Sequence, residues 1–296
     1  MRGSVLGVGT DIAGSVRVPA LCSGIYGFNP TANRVPYGRL QAAKRPGLPG
    51  IESAAGPLAT SPRDLQLFLK AVLQDDVWAI DETTLHAPWR TVTSPSQPLR
   101  IGVIVESNHQ PVHPPILRAL TKAQSILSKA GHYLITVDGA GSLIQPSGVV
   151  AWKLLFVDPD PLAPKLINAS SEPLITSLSN GRQKIAEASG HKPTLEGLFG
   201  ANVQRAQIKA TFRKFFTEHQ LDVILMPGNQ SVAPPHDHYG WPYYTVLANL
   251  LNVSFLLDLE RTFTDFAVSV SHHSFLERQR DRRQAIQEGR GIQPSM

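Results

Sequence analysis

At 296 residues, the chain is long enough to bury a sizeable core as one large domain or two small ones. Hydrophobic residues make up 42 % of it, no apolar run is long enough to span a bilayer, and Met1-Arg2-Gly3-Ser4 lacks the apolar block of a secretory leader, so a cytoplasmic protein with no membrane partner is expected. The net charge of +5 lies wholly within residues 1–50, where Asp11 is the one acid, and a balanced remainder argues against a nucleic-acid-binding face.

The first informative stretch is Gly7-Val8-Gly9-Thr10-Asp11-Ile12-Ala13-Gly14-Ser15-Val16-Arg17-Val18-Pro19-Ala20. Gly7, Gly9, Ala13 and Gly14 surround one hydroxyl, that of Ser15. Glycine tolerates positive φ and close backbone approach, which a strained, exposed serine needs. Amides freed by such a turn can converge on an oxyanion, the arrangement that stabilises acyl-transfer transition states. Residues 17–21 can start a short helix whose N-terminal dipole favours negative charge beside Ser15. Gly-rich segments with one serine also occur in ordinary loops, and without a base Ser15 is only a hydroxyl. Two other templates fail. The dinucleotide spacing Gly-x-Gly-x-x-Gly has Ile12 where its last glycine belongs, and the elbow Gly-x-Ser-x-Gly has Arg17 in place of its second glycine. Cys22, a lone thiol, reads as packed and excludes an intrachain disulfide.

The sequel sharpens the reading. The stretch Cys22-Ser23-Gly24-Ile25-Tyr26-Gly27-Phe28-Asn29-Pro30-Thr31 follows Gly-Thr-Asp-x-x-Gly-Ser-x-Arg-x-Pro-Ala, and residues 3–31 together resemble the core of the amidase signature family. The resemblance implies that Ser15 is the acyl-accepting nucleophile and that the backbone amides of Ile12, Ala13 and Gly14 form the oxyanion hole. It implies that Asp11 and Arg17 support the loop. Ala13 replaces a glycine common in the family, which leaves the amide in place. Family members activate the nucleophile through a lysine and a second serine in a Gly-Ser-Ser-Gly-Gly segment, both upstream. The 14 residues before Ser15 hold neither, Ser4 matches a different position, and Lys44 has no matching motif. A serine needs a positioned base, so the expectation for this chain is an amidase by descent that lacks its base.

Residues 33–57, with six prolines and glycines between Pro36 and Gly50, read as a long loop. Ser61 can cap a helix over 62–74, with Pro62 at its first position and Leu65, Phe68, Leu69 and Val72 on one face. Residues 75–97 read as a surface connector. Residues 99–105 make a buried strand, 114–130 an amphipathic helix stopped by Gly131, and 133–137 another strand, which predicts a parallel pair with a crossover helix. Trp152 to Phe156 reads as the end of a helix, and a further helix is expected over about 164–179. Residues 195–219 repeat Ile208, Phe212 and Phe215 at helical spacing, and 222–226 form a strand. In the loop beyond it, His236-Asp237-His238 is an incomplete zinc site and reads as a pocket wall. Residues 256–296 read as a divergent, charged tail, a solvated helix with a frayed end.

The fold class expected is α/β: a mixed, largely parallel sheet flanked by helices, with an amidase-like domain over 1–255 and the tail over 256–296. The function implied by the resemblance is attack of Ser15 on a small-molecule carboxamide, releasing carboxylate and ammonia or an amine, with no cofactor and no metal. Two rivals stand beside it: a non-catalytic amidase-like remnant that binds a ligand or partner, and a nucleotide-binding protein using residues 7–14.

Overall fold

The computed structural model describes residues 3–40, 45–74, 76–90, 97–158, 160–176, 194–259 and 266–271. Within them runs one sheet in the order β1-β3-β2-β7-β8-β6-β4-β5. The strands are β1 (Leu6–Asp11), β2 (Tyr26–Asn29), β3 (Ala54–Ala59), β4 (Arg100–Val103), β5 (Tyr133–Thr136), β6 (Val223–Met226), β7 (Ser254–Leu259) and β8 (Phe266–Ser271). The helices are α1 (Arg17–Ser23), α2 (Pro62–Val72), α3 (Val77–Ile80), α4 (Pro114–Lys129), α5 (Ile144–Leu155), α6 (Leu162–Ala169), α7 (Leu195–Glu218) and α8 (Tyr243–Leu251). Among these, no helix is long and apolar enough to cross a membrane.

The sheet is mixed and flanked by helices, as the sequence implies. Its parallel part is the run β6-β4-β5, where α4 supplies the helical crossover that a parallel pair requires. The pairings β1/β3, β3/β2, β2/β7, β7/β8 and β8/β6 are antiparallel, so parallel pairing is concentrated at one end. Strand alternation assigns the two faces. On β6, Ile224 and Met226 join the main core with Ile144, Ala151, Phe212, Phe216, Val246 and Leu250 of α5, α7 and α8. Leu225, between them, joins Ile101 and Leu120 under α4. Helices therefore cover both faces, the only way a buried strand of this kind keeps its side chains dry.

Several expectations over local elements hold. Ser61 caps α2, its hydroxyl accepting the Asp64 amide at 3.2 Å, with Pro62 in the first turn. The helices at 114–130 and 195–219 form as α4 and α7. Others fail in part. The loop expected over 33–57 ends at Ala54, where β3 begins between β1 and β2. Gly56-Pro57 disguises this strand. The β2 ladder stops at Leu58, next to a proline nitrogen that cannot donate, and at Gly56 a Cβ would meet the Phe28 carbonyl oxygen at 2.1 Å. The helix expected over 164–179 is the shorter α6, ending at Ala169; residues 177–179 lie outside the described residues. The solvated helix expected from 256 is replaced over Ser254–Leu259 and Phe266–Ser271 by strands β7 and β8. Residues 272–296 lie outside the described residues.

Candidate active site

β1 ends at Asp11, and the chain turns through Ile12 to Val16 into α1. Asp11 is buried and collects the turn around itself. Its carboxylate accepts the Gly14 amide at 2.8 Å, the Val16 amide at 3.1 Å, Arg17 Nε at 3.0 Å and Arg17 Nη2 at 2.9 Å. The Arg17 pair is bidentate, and both side chains are fully buried. Such a pair is stable only where its remaining polar atoms are also satisfied. Here α8 satisfies them. Arg17 Nη1 donates to the Thr245 carbonyl at 2.6 Å, Arg17 Nη2 donates to Asn249 Oδ1, and Asn249 Nδ2 donates to Asp11 Oδ1 at 3.0 Å. The Phe255 ring of β7 lies 4.6 Å below the guanidinium, a cation–π contact. Asp11 and Arg17 thus do more than hold a loop: they bolt the turn to a helix more than two hundred residues away.

The Thr245 hydroxyl completes the clamp by donating to the Ala13 carbonyl at 2.9 Å. Gly14, at φ +129°, lies so close that a Cβ there would meet Thr245 Oγ1 at 2.3 Å. Only glycine satisfies both the backbone angle and the contact. Carried on this fixed turn, Ser15 is exposed, and Ile12 and Ala13 are half-buried. The three candidate oxyanion amides part company. That of Gly14 is spent on Asp11, whereas, among the described residues, those of Ile12, Ala13 and Ser15 have no hydrogen-bond partner.

Cys22, expected to be packed, is exposed. It stands at the end of α1, where Ala20 and Leu21 instead take the core positions; partial burial still pushes its thiol pKa up. The loop between β6 and α8 comes beside it. Burial raises the pKa of Tyr239, the Cys22 charge raises it further and the Arg17 charge opposes both. The Tyr239 hydroxyl is buried and, among the described residues, unpartnered. Tyr239 and His238 line an open cleft of about 480 Å³ with Gln110, His113, Asn229 and Trp241. His236, Asp237 and His238 are all exposed, and of the three only His238 lines the cleft; among the described residues no three His, Cys, Asp or Glu side chains are grouped to hold a metal.

Burial alone would raise the Asp11 pKa; the Arg17 charge, with the hydrogen bonds from Arg17, Val16 and Asn249, outweighs it and holds the carboxyl below its ordinary value. Asp81 is held at about 2 by hydrogen bonds from Thr83, Gly38 and Tyr37. A carboxylate with a depressed folded-state pKa stabilises the fold above its unfolded pKa of about 3.9, and that contribution is lost as pH falls through the folded value. The melting temperature should therefore be flat from pH 6 to 5 and fall steadily below pH 4. The Asp81→Asn variant should fall less steeply. A melting temperature unchanged down to pH 2.5 would contradict both assignments.

Residues 1–259 match the family described as Amidase. An amidase of Gibberella moniliformis is 32 % identical over 250 residues, covering 84 % of this chain and 47 % of that protein. This chain belongs to the amidase signature family. An acetamidase of Aspergillus oryzae is 30 % identical over 288 residues, covering 90 % of this chain and 50 % of its own length. Among solved structures, fatty acid amide hydrolase superposes with a TM-score of 0.79 at 27 % identity, covering 93 % of this chain and 54 % of that one. The chain spans about half the length of the curated relatives it matches. Sequence reading reached Asp11, Ser15 and Arg17 but missed Thr245, Asn249 and Phe255. A signal for two of them existed. Thr245 and Asn249 are four residues apart in a segment otherwise apolar or aromatic, Tyr243 to Leu251, and a polar pair at that spacing shares one helix face.

Proposed function

We propose that Ser15 is the nucleophile of an amide hydrolase acting on a small-molecule carboxamide. What supports this is an exposed hydroxyl carried on a turn locked from beneath by Asp11, Arg17, Thr245 and Asn249, with amides at Ile12, Ala13 and Ser15 that are unpaired among the described residues. Oγ attacks the carbonyl carbon and its proton passes to the departing nitrogen. The carbonyl oxygen becomes a tetrahedral oxyanion that the Ile12 and Ala13 amides can receive. As the carbon–nitrogen bond breaks, ammonia or an amine leaves, and water then releases the carboxylate from Ser15. Preorganised donors of this kind contribute on the order of 3–4 kcal/mol each to the transition state. Gly14 has a different part in this scheme, because its amide fixes Asp11 rather than the oxyanion.

A second reading is favoured by one observation: among the described residues no base is hydrogen-bonded to Ser15. It makes the chain an amidase-like fold that binds a ligand without turnover. A fluorophosphonate probe decides between them. Labelling at Ser15 that vanishes in Ser15→Ala is the expected result for the hydrolase. A cooperatively folded sample that takes up no label overturns the nucleophile assignment and leaves the binding protein.

A further inference from the structure

On α8, Thr245 and Asn249 face the Ser15 turn, and Leu247 and Leu251 point the other way, since successive residues turn by about 100°. On that far side lies a second cavity, of about 400 Å³, between α7, α8 and β6. Its walls are apolar, formed by Phe212, Phe216, Ile224, Met226, Leu247 and Leu251, all buried. The volume falls within the range of about 300–1,000 Å³ typical of small-molecule pockets.

The mouth of the cavity is cationic. Lys209 and Arg213 line it from exposed positions one turn apart on α7, and Arg205 stands one turn before them. Arg205 is anchored, its Nε donating to the Leu250 carbonyl and its Nη1 to the Gly50 carbonyl, each at 2.8 Å. Lys209 is not. Among the described residues it has no hydrogen-bond or ion-pair partner. Partial burial and then the Arg205 charge both work against its protonated form. An ammonium so placed is relieved by an arriving anion, and the cavity behind it is filled by an apolar body.

We propose that this cavity binds a small amphipathic carboxylic acid, its hydrocarbon held between Phe212, Met226 and Leu247 and its carboxylate at Lys209. The site is separate from the amide-hydrolysing turn and does not depend on it. The test uses the whole chain, titrated by calorimetry with decanoate below its micelle concentration, and with decanol and decylamine as neutral and cationic counterparts. Saturable one-to-one binding of decanoate, at least tenfold tighter than decanol and with no binding of decylamine, is expected. Lys209→Glu should weaken decanoate at least tenfold and leave decanol unchanged. Ala210→Trp, at an exposed position of the cavity wall, should abolish both. The proposal is overturned if decanoate does not saturate, if the chain's own residues already fill the space so that nothing binds, if decanol binds as tightly as decanoate, or if decanoate binding survives both substitutions.

Discussion

Arg17→Met should lower the unfolding free energy by about 3–5 kcal/mol, the usual cost of breaking a buried ion pair from one side. Denaturant unfolding measures it, as a drop in midpoint at unchanged slope. Against a total stability of about 5–15 kcal/mol, such a loss leaves the fold marginal. The size follows from what remains. Asp11 would keep the amides of Gly14 and Val16 and the Asn249 side chain, but its charge would be buried without a cation. The Thr245 carbonyl and Asn249 Oδ1 would lose their donors, so α8 would come loose from the turn. Asp11→Asn leaves the mirror-image problem, a buried guanidinium without its anion, and should cost a similar amount. The double variant removes both charges, and its cost should be well below the sum of the singles, because residues in one network are not additive. Fluorophosphonate labelling at Ser15 should fall with the singles. If Arg17→Met costs under about 1 kcal/mol, the pair behaves like one at the surface and cannot be what holds the turn.

That network also marks where sequence reading stops. The crossover unit β4-α4-β5 and the long α7 are legible because their apolar residues repeat at the period of the element they form, and α2 because Ser61-Pro62 announces its start. β1 and β3 are not. Half or more of their positions are Gly, Ala, Pro or Asp, which are small or poor strand formers, and they owe their extended form to pairing with each other and with β2. β7 was hidden for a different reason: its neighbour β2 lies more than two hundred residues earlier, a partner that no local window contains. At the site, the motif around Ser15 identifies the turn and its likeness to the amidases. What it omits is the backing. Asp11 and Arg17 read as a pair six residues apart, but their completion by Thr245, Asn249 and Phe255 depends on packing α8 and β7 under the turn. A spacing rule cannot express that dependence. The same omission explains the Gly14 amide, which a motif counts as a donor to the substrate and the fold assigns to Asp11.

Gly14→Ala should be the most damaging single-methyl change near the site, costing about 2–5 kcal/mol. Two independent terms make up the figure. A non-glycine residue forced to positive φ costs about 1–2 kcal/mol, and forcing an atom into filled space costs about 1–3 kcal/mol more. The second term is severe here because the new Cβ would lie 2.3 Å from Thr245 Oγ1, 2.8 Å from Thr245 Cβ and 3.1 Å from Val18 Cγ2. Thr245 cannot retreat without giving up its bond to the Ala13 carbonyl, and it belongs to a helix buried along nearly its whole length. The turn must move instead, taking Ser15 and the Ile12 and Ala13 amides with it. Gly24→Ala provides the comparison. Gly24 also has positive φ, at +65°, but a Cβ there meets nothing within 4 Å, so that variant should lose only the backbone term of about 1 kcal/mol and keep its fluorophosphonate labelling. The difference between the two midpoints isolates the Thr245 contact. A Gly14→Ala protein as stable as Gly24→Ala and labelled as fast as the parent would mean that the Ser15 turn is not held against α8, and with that the case for a preorganised nucleophile is lost.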